Sequence, residues 1–420
     1  MIIYQMLPRL WGEGKFSSIG AATFEHVKSL GVNAIWYTGI IRHATGEPFV
    51  KGDAGSPYAI SDYYDINPYL ADRPDAREEE FEDLVRRTHD AGLKVIIDFV
   101  PNHVARNYDR SALPLFDHCD YDWTDTLKIN YGAQGCWEKM TDILRFWAAK
   151  GVDGFRCDMV ELVPADFLKY AICAIKSEFP GTIFIAEAYD RKNYVSFIDY
   201  VGFDLLYDKS GIYDALRGIV LGGWSARTLT WNWQFLGGKQ SNMLNFLENH
   251  DEERFPLNGG FAPLAAAALF NTASFMIYFG EETGNDAAES DNRRTTIFNF
   301  ARIDSLQRLY NYITSASPLP KEEEAYLHRF KDICALAATP VIASGDVHDL
   351  CYFNEGNAGF DMERHFAFLR YNDAEAVLVF CNFSACEAQL TLKVPDLGTP
   401  FSDTPVTVAP GEALIWTIRE

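Results

Sequence analysis

The sequence predicts an α/β chain: a (β/α)8 TIM barrel with a short inserted loop domain after the third strand and a C-terminal antiparallel β-domain. Three observations carry this. Eight short apolar runs of β type alternate with longer segments of helical period. Several of the runs are apolar throughout, as parallel strands buried on both faces are. From about residue 341 the pattern changes to short alternating strands separated by Gly, Pro, Asn and Asp.

The eight strands are expected at Ile2–Met6, Asn33–Tyr37, Lys94–Phe99, Gly154–Asp158, Thr182–Glu187, Phe203–Tyr207, Met243–Glu248 and Phe275–Phe279. Helices are expected between them. Phe24–Leu30 precedes the second strand, and Arg77–Ala91 sets Phe81, Leu84 and Val85 against a charged face. Trp137–Ala149 and Ala165–Phe179 flank the fourth strand, and Pro263–Asn271 precedes the eighth. The spacing breaks once, at a polar and aromatic insertion from His103 to Gly135, which a barrel places on its C-terminal rim. The expected domains are residues 1–102 with 136–340 for the barrel, 103–135 for the insertion and 341–420 for the β-domain.

Composition narrows the function. At 48% hydrophobic, the chain can bury a large core. Its formal net charge of −22 repels nucleic acid and anionic membranes, so no nucleic-acid partner is expected, and a neutral substrate such as a sugar fits. The eight cysteines form no CxxC pair and no metal-ligand spacing, and read mostly as buried, reduced thiols. The start shows neither a basic leader nor a long apolar stretch, and no run of about 18 apolar residues occurs. The expectation is therefore no membrane span and a cytoplasmic home, or a periplasmic or secreted one if a leader has been trimmed.

The chemistry concentrates at strand ends. KVIIDFV-PNH brings Asp98, Asn102 and His103, GFRCD brings Arg156 and Asp158, TIFIAEA brings Glu187, and NFLENHD brings Glu248, Asn249, His250 and Asp251. In a parallel barrel these ends converge on one mouth. Any one acid after a strand can cap the next helix. The joint pattern is harder to explain as capping, because Asp98, Asp158 and Glu187 each follow or end an apolar run where an unpaired charge is costly. Arg156 precedes Asp158 by two residues, so both side chains leave the same face of the strand, and the arginine is expected to keep the carboxylate ionised. Asp158 and Glu187 end neighbouring strands about 4.8 Å apart, close to the roughly 5–5.5 Å between the carboxyl groups of retaining glycosidases. Glu187 lies between alanines, which suits the higher pKa of an acid.

DFVPNH (98–103), GFRCD (154–158), FIAEA with Glu187, and FLENHD (246–251) resemble, in order and spacing, the four conserved stretches of the α-amylase family, glycoside hydrolase family 13. IIYQMLPRLWG, SPYAISDYYDINP (56–68) and FMIYFGEE extend the resemblance over about residues 1–300. It implies Asp158 as nucleophile, Glu187 as acid/base and Asp251 as the third carboxylate that holds sugar hydroxyls. It further implies Arg156 as orienting group, His103 and His250 on hydroxyls, Tyr58 as a platform under the sugar and Asp98 as a bracing acid. Tyr58, His103 and His250 also admit simple packing roles. Asn102 stands where many relatives ligate calcium, so a structural calcium is implied there, although one amide supplies only one of the several oxygens required. No cofactor is required for the chemistry.

Two features depart from the family. Met159-Val160-Glu161-Leu162 replaces the Lys-His that contacts the leaving-group sugar in many α-amylases, and the insertion is short. Thr126-Leu127-Lys128-Ile129-Asn130 is similar to a stretch of the neopullulanase and cyclodextrinase group, which favours starch-derived oligosaccharides as partners. Trp231 and Trp233, read as lying in a loop after the sixth strand, are either a sugar platform or packing residues. Hydrolysis of mainly α-1,4 glucosidic bonds is the expected function. Glucosyl transfer through the same intermediate is the alternative, and a non-catalytic glucan-binding relative, which would usually lack a carboxylate, is the remote one.

Overall fold

In a computed structural model describing residues 1–255 and 260–419, eight parallel strands close into a barrel. They are β1 (Ile2–Met6), β2 (Ala34–Tyr37), β3 (Lys94–Phe99), β4 (Gly154–Cys157), β5 (Ile183–Ala186), β6 (Leu205–Tyr207), β7 (Met243–Phe246) and β8 (Ser274–Tyr278). Each pairs with its neighbours in sequence, and β8 pairs with β1. The strands alternate between two apolar environments, which is why most have no polar face. Ile3, Trp36, Ile96, Ile185, Leu244 and Met276 fill the barrel interior. Tyr4, Ile35, Ile97, Phe184 and Ile277 join the larger core outside it. Helices at Ala21–Ser29, Arg77–Asp90, Cys136–Ala149, Ala165–Glu178 and Ala262–Leu269 lie within a few residues of their expected positions.

The β1 and β3 boundaries coincide with the sequence reading, whereas β4, β5 and β7 stop short of it. Asp158 and Glu187 lie just beyond the last paired residues, where their side chains turn into the barrel mouth, and Glu248 lies two residues beyond β7. Trp231 and Trp233 sit not in a loop but on the helix Arg227–Leu236.

Two short hairpins build the rim. Ile41–His43 pairs with Ile60–Ile66 after β2. His103–Ala105 pairs with Thr126–Lys128 inside the insertion. At the C-terminal end, β9 (Asp346–Asp349), β10 (His365–Tyr371), β11 (Glu375–Asn382) and β14 (Ala413–Arg419) form an antiparallel sheet, with β12 (Ala388–Leu392) and β13 (Thr404–Val408) as a separate pair. Arg370 on β10 is fully buried and donates to the carbonyls of Leu269 and Asn271, tying this sheet to the end of a barrel helix. All eight cysteines are free. Five are buried, while Cys173 and Cys386 are exposed and Cys119 is partly exposed. Among the described residues no helix is long and apolar enough to cross a membrane.

Candidate active site

Register places the site. Asp98 on β3 pairs with Arg156 on β4, and Cys157 pairs with Ala186 on β5. Asp158 and Glu187 follow directly, their backbones anchored by Asp158 N–H to the Phe99 carbonyl (2.9 Å) and Glu187 N–H to the Cys157 carbonyl (3.1 Å). Their side chains therefore rise from adjacent strands on the inward face.

Arg156 is the hub. Its guanidinium is fully buried over the rings of Trp36, Tyr58 and Tyr207. Its Nη1 lies 2.6 Å from Asp158 Oδ1 and 3.6 Å from Asp98 Oδ1, and its Nη2 lies 3.0 Å from Glu187 Oε2. Its Nε–H donates to the Tyr207 hydroxyl at 3.2 Å. One planar fork thus joins three carboxylates from three consecutive strands.

The remaining expected residues surround it. Trp36 Nε1–H (3.1 Å) and the Tyr58 hydroxyl (3.3 Å) donate to Asp98. Tyr58 stacks on His250 with centroids 5.2 Å apart, and its hydroxyl lies 2.5 Å from His250 Nε2. The Gln5 amide nitrogen lies 2.7 Å from His250 Nδ1, and His250 Nε2 lies 3.0 Å from Asp251 Oδ2. His103 Nε2 approaches Asp158 Oδ2 at 4.0 Å. Glu248 turns away from this group: it accepts from Arg254 (2.7 Å) and the Phe255 N–H (2.6 Å) behind the β7 loop.

Electrostatics separate the carboxyls. Burial, opposed by Arg156 and reinforced by Asp158 and Asp251, pushes Glu187 up to about 7. Burial also raises Asp98 and Asp158 against the pull of Arg156. The sequence alone points to Arg156 as the group that sets Asp158. In the fold, desolvation and the nearby Asp251 and Asp98 carboxylates outweigh it. For Asp251 burial acts upward too, but His250, Arg156 and Arg294 overcome it and pull the group down to about 2. Burial lowers His103 to about 4, so its ring is neutral near pH 7.

Several groups escape a reading of the sequence. The Tyr189 hydroxyl donates to Glu187 Oε1 and the Met159 N–H to Glu187 Oε2, both at 2.7 Å. Met159 adopts a left-handed backbone (φ 46°), a costly conformation that aims its N–H at the acid. A polar hydroxyl two residues after Glu187 is the visible signal for Tyr189. No local pattern marks Met159. Glu161 accepts from Asp190 N–H (2.8 Å) and Asn193 (3.0 Å), bracing the loop beyond β5 rather than entering the cavity.

The cavity above these groups has a volume of about 250 Å³ and opens to solvent. Tyr58, His103, Asp158, Glu187 and Asp251 line it, with Lys51, Trp123, Met159, Tyr189 and Phe298 closing its sides. Neither Trp231 nor Trp233 lines it. Trp233 packs on Phe270 with centroids 5.6 Å apart, whereas Trp231 is half-exposed.

The surroundings of Asn102 do not fit calcium. Its amide donates to Asp120 at 2.9 Å, and the Lys128 ammonium sits on the other Asp120 oxygen at 2.8 Å. Asp117 pairs with Arg110 and Asp125 with Lys51, so with Asp120 three acids of the insertion carry cations of their own. Among the described residues no cluster of three His, Cys, Asp or Glu side chains is placed to hold a metal. EDTA is therefore expected to leave the melting temperature unchanged, and Lys128→Ala to cost about 1 kcal/mol in chemical denaturation. Stabilisation of several degrees by added calcium would count against this assignment.

The comparisons agree with the fold. The family model described as the α-amylase catalytic domain matches residues 14–122. The chain is 29% identical over 317 residues to α-amylase MalA of Haloarcula japonica, covering 69% of this chain and 45% of that protein. It is 25% identical over 308 residues to neopullulanase 2 of Thermoactinomyces vulgaris, covering 65% and 50%. The chain thus spans about half the length of these curated relatives. The crystal structure of an α-amylase from Geobacillus thermoleovorans complexed with acarbose superimposes with a TM-score of 0.77 at 19% identity, covering 100% of this chain and 98% of that one, a likeness of fold.

Proposed function

We propose that the chain is an α-amylase-family glycoside hydrolase, a reading its strand-end motifs and relatives support, and that it hydrolyses α-glucosidic, mainly α-1,4, bonds of starch-derived oligosaccharides with retention of configuration. The observation that carries this is the Arg156 fork, which joins Asp158 and Glu187 on adjacent strands at an open cavity. That spacing suits attack by one carboxyl and protonation by the other on the same glycosidic bond.

Roles follow from which oxygens are free. Arg156 occupies Asp158 Oδ1, leaving Oδ2 to attack the anomeric carbon and form the glycosyl-enzyme bond. Glu187 Oε2 faces two donors, Met159 N–H and Arg156, and Oε1 only the rotatable Tyr189 hydroxyl, so the proton belongs on Oε1, where the Tyr189 oxygen can turn to accept it. As the glycosidic C–O bond breaks, that proton passes to the leaving oxygen. Ionised Glu187 then takes a proton from water, whose oxygen attacks the anomeric carbon and releases Asp158. Asp251, ionised across the working range, is the group that would hold sugar hydroxyls, with the buried His250 orienting it and Tyr58 beneath the ring.

The test is trapping. Incubation with 2-deoxy-2-fluoro-α-glucosyl fluoride should add one fluoroglucosyl unit to the intact mass, and Asp158→Asn should abolish the addition. A β-configured first product from maltotriose, or no action on any α-glucoside, would sink the reading. Longer oligosaccharides from maltotriose would instead mark transfer through the same intermediate.

A pH prediction follows from the acid. Glu187 must be protonated to act, so activity should fall as pH rises through about 7. The Tyr189 hydroxyl stabilises the ionised form, so Tyr189→Phe should move this alkaline limb upward by about one pH unit. A pH–rate profile of kcat/KM with an unmoved limb would remove Tyr189 from the role.

A further inference from the structure

We infer that the cavity is closed at its glycone end and admits only the non-reducing terminus of a chain, making the protein an exo-acting enzyme on short α-glucans. This rests on the proposed function and deepens it. The leaving group departs beside Glu187, so the aglycone side lies toward Met159 and Tyr189. Tyr58, Asp158 and Asp251 line the same cavity, so a glycone attacked by Asp158 would lie over Tyr58. A further sugar on that side must pass Lys51, Asp125 and Phe298.

These residues form a seam between three rim segments. Lys51, from the loop after β2, pairs with Asp125 of the insertion at 3.2 Å and lies over the Phe298 ring, 5.8 Å from its centroid. The same loop is stitched to the segment after β8. Ala54 N–H donates to the Phe298 carbonyl (2.9 Å), Asp53 N–H to Asn299 Oδ1 (3.2 Å), and Phe300 N–H to Asp53 Oδ1 (2.7 Å). Backbone-level bonds of this kind resist displacement more than a lone side chain does. A second cavity, lined by His250, Asp251, Arg294 and Asn299, borders the same Ile297–Phe298 segment, so this partition is a thin strip of chain and not core.

Gly52 makes the seam possible. A Cβ there would lie 2.2 Å from the Phe298 carbonyl oxygen and 2.3 Å from Asn299 Oδ1, and its backbone is left-handed at φ +65°. Only glycine lets the two loops approach this closely. The cavity volume of about 250 Å³ falls below the roughly 300–1,000 Å³ of pockets for larger ligands. It suits one or two sugar rings rather than an internal stretch of polymer.

The test compares an aryl maltooligosaccharide with a free non-reducing end and the same compound with that end blocked by a ketal. Wild type should cleave the free-ended compound at least about a hundredfold better in kcat/KM. Gly52→Ala, which forces the seam apart, and Lys51→Ala, which removes an exposed strut without touching the core, should each narrow that ratio about tenfold or more. Equal cleavage of both compounds by wild type would overturn the closed pocket while leaving the glycosidase reading intact. A selective wild type whose ratio neither variant changes would overturn the seam as its cause. Cleavage of neither compound would overturn the hydrolytic reading, and this inference with it.

Discussion

Glu187→Gln is expected to lower kcat on maltooligosaccharides by about 10²–10⁴-fold, the usual contribution of a general acid/base, while making the protein more resistant to unfolding at alkaline pH. The loss should shrink for the glycosylation step of substrates with an acidic aryl or fluoride leaving group, which need no proton. Equal loss on both substrate types would remove Glu187 from the acid role. The stability gain follows from the raised proton affinity. The folded Glu187 titrates near 7 and an unfolded glutamate near 4.5. Between these values the folded state binds the extra proton, so its stability falls as pH rises through this window and stays lower above it. Glutamine mimics the neutral carboxyl and carries no such penalty. Wild type should lose up to about 3 kcal/mol relative to the variant across that range, since each tenfold difference in proton affinity is worth about 1.36 kcal/mol. Thermal melts from pH 4 to 9 would show this, and parallel profiles for the two proteins would contradict it. An acid poised for pH 7 is thus held at the expense of stability.

Arg156→Leu is the second large effect. It leaves Asp98, Asp158 and Glu187 without their common partner in a site from which water is largely excluded. Removing one member of a buried ion cluster typically costs about 3–5 kcal/mol. The burden should grow with pH, because the orphaned carboxyls would then take up protons in place of the lost cation. Activity should fall to background. Arg156→Lys keeps a charge but cannot reach Asp158 and Glu187 with one planar fork, so it should recover much of the stability and little of the activity. Urea midpoints at pH 5 and pH 8 with both variants would test this. A leucine variant as stable as wild type at pH 8 would refute the arginine's part in holding the cluster.

The barrel is legible in the sequence because its physics is local. Strands buried on both faces must be apolar throughout, so runs such as IIYQM and KVIIDF stand out, and both match observed strands residue for residue. Asp98, Arg156, Asp158 and Glu187 are legible for the converse reason: charges ending apolar runs need partners, and strands four and five of a barrel are neighbours. The Trp231–Trp233 segment reads as a loop but is helical, since its glycines lie on both sides of a ten-residue helix that they do not interrupt.

What the sequence by itself determined is the barrel, the carboxylates at its mouth and the arginine two residues before Asp158, because strand period and apolar burial are written in short windows. Only the tertiary structure decided the proton affinities, which depend on how much water the whole mouth excludes and on carboxyls far apart in sequence. Only it put Lys128 on Asp120 beside Asn102, where the family resemblance implied calcium. And only it brought Gly52 against Phe298, closing one end of the cavity with residues some 246 positions apart. Such contacts have no local pattern, since they arise when loops from separate strands meet on one rim.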